Sequence, residues 1–345
     1  MKVATGKVSA NTCEKVQGKY KTKVSDCQCF RQQNSTKKSV VSALSLDTLA
    51  QPVHAKGIPY LKKKAKNQYF SKELARHLTT LDSPLNKSYR RTLFDCGAML
   101  VQEGRKLTSR YCNGRWCNTC NRIRTAKLIN GYRNALEAFT APYFVTLTIP
   151  NVKAESLKNS IKTMLQTVML ITRSIRRVRA FNGIRKLECT YNATEDSYHP
   201  HFHFIIDGED NAKWLVSEWL KRNETAEHWC QDISQADTGS ILELFKYTTK
   251  IVSKSGNDFQ IYIQPLDVIF QAMYKLRTFQ PFGSVRMVSE DIDDVEAETY
   301  DIPFYETVVW QWEGNDWHSM LTGEPLTNYK PSKRMIELTT EKMVV

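Results

Sequence analysis

The 345-residue chain contains no run of eighteen apolar residues, so a helical membrane span is excluded by length. Its opening, MKVATGKVSANTC, lacks the apolar stretch of a secretory signal, and a reducing, cytoplasmic address is expected. In such a compartment the nine cysteines read as thiols or metal ligands rather than disulfides. There is no G-x-x-x-x-G-K-S/T, which removes the P-loop ATPases, and no internal repeat. Acidic residues are scarce at the front. Residues 1–130 hold 7 Asp and Glu against 26 Lys and Arg, a net of +19, whereas the remainder nets −6. So basic a front third suits a polyanionic partner, most simply nucleic acid held at its phosphates. A solvated basic tail with no partner would have the same composition.

What is present suffices for a folded core, with 41% apolar and 10% aromatic residues. Residues 1 to about 85, including KKKAK at 62–66, show little periodicity and are expected to be largely flexible. From 143, YFVTLTI is β-branched and aromatic enough for a central strand, closed by Pro150-Asn151. Leu157, Ile161, Leu165, Val168 and Ile171 predict a long amphipathic helix within 153–181. IRKLECTYN (184–192) and HPHFHFII (199–206) read as two strands around ATEDSY, and further helices are expected over 211–222, 239–252 and 265–277, the last ended near Pro281. An acidic run, SEDIDDVEAETYD (289–301), precedes VVWQWEGNDW, which alternates like a hairpin. The run reads as a solvated linker, or alternatively as a nucleic-acid mimic covering the basic half. Strand, helix, hairpin, helix, helix implies an α+β domain with an antiparallel sheet and helices packed on it.

His199, His201 and His203 alternate along one strand and therefore share a face, with Phe202 and Phe204 on the other. Neutral imidazoles two residues apart converge on a transition-metal ion. A turn centred near 195–196 would set Glu188 opposite His203 and Thr190 opposite His201, making Glu188 the third ligand. His199, just before Pro200, is the weakest ligand of the row. The competing reading is a set of histidines hydrogen-bonded at a sheet edge.

Cys96, Cys112, Cys117 and Cys120 are spaced C-x15-C-x4-C-x2-C, enough for a closed tetrahedral Zn²⁺ site of structural type. Core thiols or a redox pair are the competing readings. Arg110, Arg115, Trp116, Arg122, Arg124 and Lys127 crowd this module, a basic and aromatic surface suited to gripping phosphates and stacking a base.

In ILELFKYTTKIV (241–252), a helix would place Glu243 and Tyr247 one turn apart, with Lys250 adjoining the same face. A carboxylate, a phenol and an ammonium together suit phosphoryl transfer. Equally, they suit a solvated helix face.

Taken in order, YFVTLTIPN (143–151), HPHFHFII (199–206) and ELFKYTTK (243–250) resemble the three motifs of the HUH endonucleases. RKLECTYN and the cysteine cluster strengthen a narrower resemblance, to the rolling-circle replication initiator (Rep) proteins of small plasmids with one catalytic tyrosine and a glutamate four residues before it. The likeness covers roughly residues 90–285. It implies an HUH nicking and joining domain over 136–288, preceded by a zinc-binding module over 86–135; composition and patterning add a basic segment over 1–85 before them and an acidic linker and C-terminal hairpin over 289–345 after them. It further implies that His201 and His203 bind Mg²⁺ or Mn²⁺, that Tyr247 cuts one DNA strand as nucleophile, that Glu243 activates water at termination, and that Lys250 orients the phosphate. The implied partners are single-stranded or supercoiled origin DNA and a host helicase and polymerase, since no motor is built in; an oligomer stays open. A transposase or relaxase with the same chemistry, or a non-catalytic zinc-ribbon DNA-binding regulator, remains as an alternative.

Overall fold

The computed structural model describes residues 56–245, 250–255, 258–292 and 298–344. In chain order the front part forms β1 (Lys56–Gly57), α1 (Ile58–Leu78), α2 (Asn86–Phe94), β2 (Met99–Gly104), β3 (Lys106–Ser109) and α3 (Asn118–Glu137). The middle forms β4 (Pro142–Thr148), α4 (Ala154–Ile175), β5 (Gly183–Asn192), β6 (Ser197–Asp207), α5 (Glu209–Arg222), β7 (Asp232–Gln235) and α6 (Thr238–Phe245). The last part forms β8 (Ser253–Ser255), β9 (Asp258–Tyr262), α7 (Ile263–Ala272), β10 (Phe279–Phe282), β11 (Glu298–Asp301), β12 (Tyr305–Glu313), β13 (Asp316–Ser319), α8 (Lys333–Thr340) and β14 (Met343–Val344). The architecture is α+β, as the order of elements implied.

Five strands pair antiparallel in the order β10-β5-β6-β4-β7. The histidine strand β6 is therefore central, flanked on one side by β4 and on the other by β5. Odd and even residues of these strands face different layers, as a two-residue period demands. Val145, Leu147, Leu187, Phe202, Phe204 and Ile206 pack against α4, α5 and α7 in the larger core. On the opposite face Phe144, Ile184 and Ile205 meet Leu128, Tyr132, Ile241 and Phe245 of α3 and α6. The histidines lie on this second face, which is covered by α3 and α6.

A six-stranded sheet, ordered β1-β11-β3-β2-β12-β13, joins residues 99–109 to strands from the chain's C-terminal part. The alternating segment at 308–317 is indeed a hairpin, β12 with β13, yet it also pairs through Val309 with Val101 and Trp310 with Leu100. Buried Trp317 donates from its indole Nε1 to the Gly97 carbonyl at 2.7 Å. The segment expected to be a trailing extension thus completes the sheet beside the cysteine module.

Three expectations are corrected. Residues 58–78, expected within a flexible segment, are a 21-residue helix with Leu61, Ala65, Leu74 and Leu78 buried. Its periodicity is masked because Asn67, Gln68, Ser71 and Lys72 also lie on the inner face, where Lys72 donates to the Leu93 carbonyl at 2.6 Å. The helix expected over 265–277 stops at Ala272, and Pro281 sits in edge strand β10, where a missing N–H is tolerated. The helix expected over 239–252 spans Thr238–Phe245; Lys250 to Val252 are not helical, and Tyr247 lies outside the described residues.

Candidate active site

The hairpin β5–β6 closes earlier than predicted. Asn192 pairs with Ser197, so the turn is residues 193–196, with Asp196 in the left-handed region at φ 45°. Asn192 Oδ1 accepts the Thr194 amide at 3.1 Å and Tyr191 donates to Asp196 at 2.9 Å, which fixes this short reversal. The register therefore moves by two residues: Glu188 stands opposite His201, Lys186 opposite His203, and Thr190 opposite His199. A two-residue step keeps every side chain on its face. Glu188 is still beside the histidines.

Glu188, His201 and His203 bring their ligand atoms within 4.8 Å of one another. His203 Nε2 lies 3.6 Å from Glu188 Oε2. The other ring nitrogens are oriented from behind: His203 Nδ1 is 3.2 Å from Thr146 Oγ1, and His201 Nδ1 is 3.0 Å from the His199 carbonyl. Phe144 stacks on His203 at 5.2 Å between ring centroids. Such outer partners set which nitrogen faces a metal. His199 stacks on His201 at 5.0 Å between ring centroids but is not one of the three converging ligands, and its Nδ1 lies 3.0 Å from Asn151 Oδ1.

The electrostatics suit a cation. Burial pushes the Glu188 carboxyl up, but the Lys186 ammonium, helped by His201 and His203, outweighs it and holds the group at about 2. Burial drives the His201 imidazole down to about 4 and that of His199 to about 3. At neutral pH these rings are uncharged, the form that donates a lone pair to a metal. Two imidazoles and one carboxylate fit a six-coordinate divalent ion and leave open positions for phosphate oxygens and water.

Lys186 was not singled out in the sequence. It is fully buried and donates to Glu188 Oε2 at 2.6 Å and to the Glu243 carbonyl at 3.1 Å. The available signal was its position two residues before Glu188, hence on the same face. Glu243 is half-buried on α6, and Lys250 is exposed. Their relation to Tyr247 involves residues outside those described.

The four cysteines predicted as ligands converge. Cys96, Cys112, Cys117 and Cys120 are buried, with Sγ separations of 3.6 Å for 96–117, 3.6 Å for 96–120 and 3.5 Å for 112–120. Tetrahedral sulfurs about 2.3 Å from a zinc ion stand roughly 3.8 Å apart, so the donor set fits that metal. The Gly114 amide and the Thr92 hydroxyl each point at Cys112 Sγ from 3.3 Å. Burial lowers the pKa of Lys72, and the neighbouring Cys96, Cys117 and Cys112 pull it back up. Cys189 is a sealed core thiol. Cys230 lies in a short 3₁₀ turn and is half-buried, and Cys13, Cys27 and Cys29 lie outside the described residues.

The residues expected to grip DNA divide. Arg110 and Arg122 are exposed, whereas Arg115 and Lys127 are half-buried. Trp116 is only 6% exposed, packed between Tyr89 at 5.3 Å and Phe270 at 5.6 Å, so its ring serves the core. Arg124 is 5% exposed and donates to the Glu290 carbonyl, Asn113 and Asn121. The start of the acidic run packs on this module: Arg115 pairs with Glu290 at 3.1 Å, and Asp291 receives Asn113 at 2.8 Å and Lys127 at 2.6 Å.

Residues 104–231 match a family described as replication protein. That span contains Glu188, His201 and His203 together with three of the four clustered cysteines. A protein of Staphylococcus aureus named "Protein rep" is 26% identical over 210 residues, covering 55% of this chain and 92% of the relative. Namesakes from Bacillus amyloliquefaciens (27% over 179 residues) and another Bacillus (28% over 173) share 50% and 45% of this chain, but only 47% and 56% of their own lengths. No solved structure matches. Among the described residues no helix is long and apolar enough to cross a membrane.

Proposed function

From the premise that this chain carries a replication-protein domain over residues 104–231, we propose that it initiates rolling-circle replication of a plasmid or phage by nicking one strand of origin DNA. The observation that carries the reading is the convergence of Glu188, His201 and His203 on the face of the central strand, with α6 packed on that face. On this reading Glu188, His201 and His203 hold Mg²⁺ or Mn²⁺. The bound ion would supply Lewis-acid polarisation of the scissile phosphate. The Tyr247 phenol attacks phosphorus, forming an O–P bond to the 5′ side as the 3′ oxygen departs as the hydroxyl primer. The ester retains the energy of the broken bond, so joining can reverse the step. Glu243 takes a proton from water when the ester is finally hydrolysed, and the exposed Lys250 screens phosphate charge.

The cysteine cluster holds Zn²⁺ as a closed structural site, since four protein ligands leave no position open. Exposed Arg110 and Arg122 grip phosphates, with Arg115, Arg124 and Lys127 shaping the same surface. Strand separation and synthesis fall to a host helicase and polymerase. The test uses end-labelled origin DNA, single-stranded or supercoiled, with Mn²⁺, read on a denaturing gel. A covalent protein–DNA band lost in Tyr247→Phe is expected. Tight binding without cleavage by the unmodified chain would instead leave a zinc-dependent DNA-binding regulator.

A further inference from the structure

An ammonium with no solvent exposure is costly unless it is paired, and a well-packed apolar residue would often serve as well for stability alone. Lys186 is such a group, in the middle of a central strand. Its two hydrogen-bond partners belong to different elements. Glu188 Oε2, at 2.6 Å, is on its own strand in the metal trio. The Glu243 carbonyl, at 3.1 Å, is 57 residues further on, in α6. A carboxylate has about four lone-pair sites on two oxygens, so Glu188 can hold the lysine and a metal together. The α6 end of the tie is braced separately by Thr125, whose hydroxyl donates to the Phe245 carbonyl at 3.0 Å, and by Phe245 stacked on Tyr132 and Phe279.

We propose that Lys186 is a positioning residue that couples the metal trio to α6, which directly precedes Tyr247 in sequence: one ammonium orients Glu188 and, through the Glu243 carbonyl, sets how far α6 stands from the bound ion. The inference rests on the reading of Tyr247 as nucleophile and adds the device that keeps the two halves of the reaction in register. A lysine suits the task because its three donors radiate from one point on a long stem, whereas a carboxylate or amide at this position would repel or miss Glu188.

The test compares the full chain with Lys186→Met, by hydrogen exchange, Mn²⁺ titration and strand attachment. Amides of residues 238–245 should lose about tenfold or more protection, the scale of a lost charge-assisted hydrogen bond. Those of α3 should be unchanged. With Glu188 no longer oriented, Mn²⁺ should bind about 10–100-fold more weakly, the cost of losing an outer partner. Attachment of DNA at saturating Mn²⁺ should still slow by about tenfold or more from misplacement alone. Uniformly faster exchange would show a merely structural ion pair and overturn the proposal, as would unchanged exchange in α6. If the unmodified chain attaches no DNA, the functional reading fails, and the exchange pattern still decides whether Lys186 tethers α6. Should Lys186→Met not fold, Lys186→Met with Glu188→Gln removes both buried charges, and the same selective loss of α6 protection is expected.

Discussion

Removing metal from the cysteine cluster should melt the module around it. The apolar material there is small: of the buried cluster, only Ile292 is not a cysteine, and Tyr111 and Ile123 pack on it half-buried. Burying one isoleucine contributes about 1.5–3 kcal/mol. A structural zinc site contributes about 10–16 kcal/mol of apparent binding energy, which is folding energy where no site pre-exists. Domains have only about 5–15 kcal/mol in total, so metal–sulfur bonds at this cluster would dominate locally. The damage should spread. Gln68 donates to the Cys96 carbonyl and Trp317 to that of Gly97, so α1 and the six-stranded sheet both anchor on this turn. Cys117→Ser should lower bound zinc from about one ion per chain to a small fraction, and a loss of about 4 kcal/mol would lower Tm by roughly 10 °C in a domain of this size. Elemental analysis and calorimetry read the two quantities. Unchanged metal content with an unchanged melting curve would refute the reasoning.

The remaining predictions concern the histidine face and its surroundings. Glu188→Ala should weaken Mn²⁺ binding about 100-fold or more in calorimetric titration, beyond what loss of an outer partner costs, while His199→Ala stays within about threefold. Trp116→Ala should destabilise the fold by about 3–5 kcal/mol in urea, because it empties a core site. Arg122→Ala should leave stability alone and reduce the salt slope of DNA binding by about one. Glu243→Ala should still attach to DNA but fail to release it by hydrolysis, and normal release on a denaturing gel would remove Glu243 as the base.

Much of the histidine face was legible because strand periodicity is rigid. Three histidines at alternate positions share a face whatever the turn does, and Glu188 stays on that face through a two-residue register shift. The shift itself was hidden in a side-chain bond from Asn192 and one left-handed residue, Asp196, which no apolar pattern encodes. Cysteine spacing was equally informative, since close intervals limit where thiols can go. The front helix α1 was missed because Gln68 and Ser71 are buried to serve Cys96 and Thr119, so its inner face reads as polar. Trp116 was misplaced for the reverse reason: a tryptophan among arginines looks like a surface platform, but Tyr89 and Phe270, distant in sequence, enclose it. The pairing of β2 with β12 joins residues some 200 positions apart and leaves no local trace. Lys186 was hidden by alternation, for Lys-Leu-Glu reads as the polar side of any half-exposed strand.

The central claim is that a metal held by Glu188, His201 and His203 activates a phosphate for attack by Tyr247. It is tested most directly by incubating the full chain with a short origin oligonucleotide and Mn²⁺, digesting with protease and nuclease, and sequencing the adduct by mass spectrometry. The account predicts a single nucleotide 5′-phosphate esterified to Tyr247, absent when His203 is replaced by alanine. An adduct on another residue, or an undiminished adduct in His203→Ala, would contradict it.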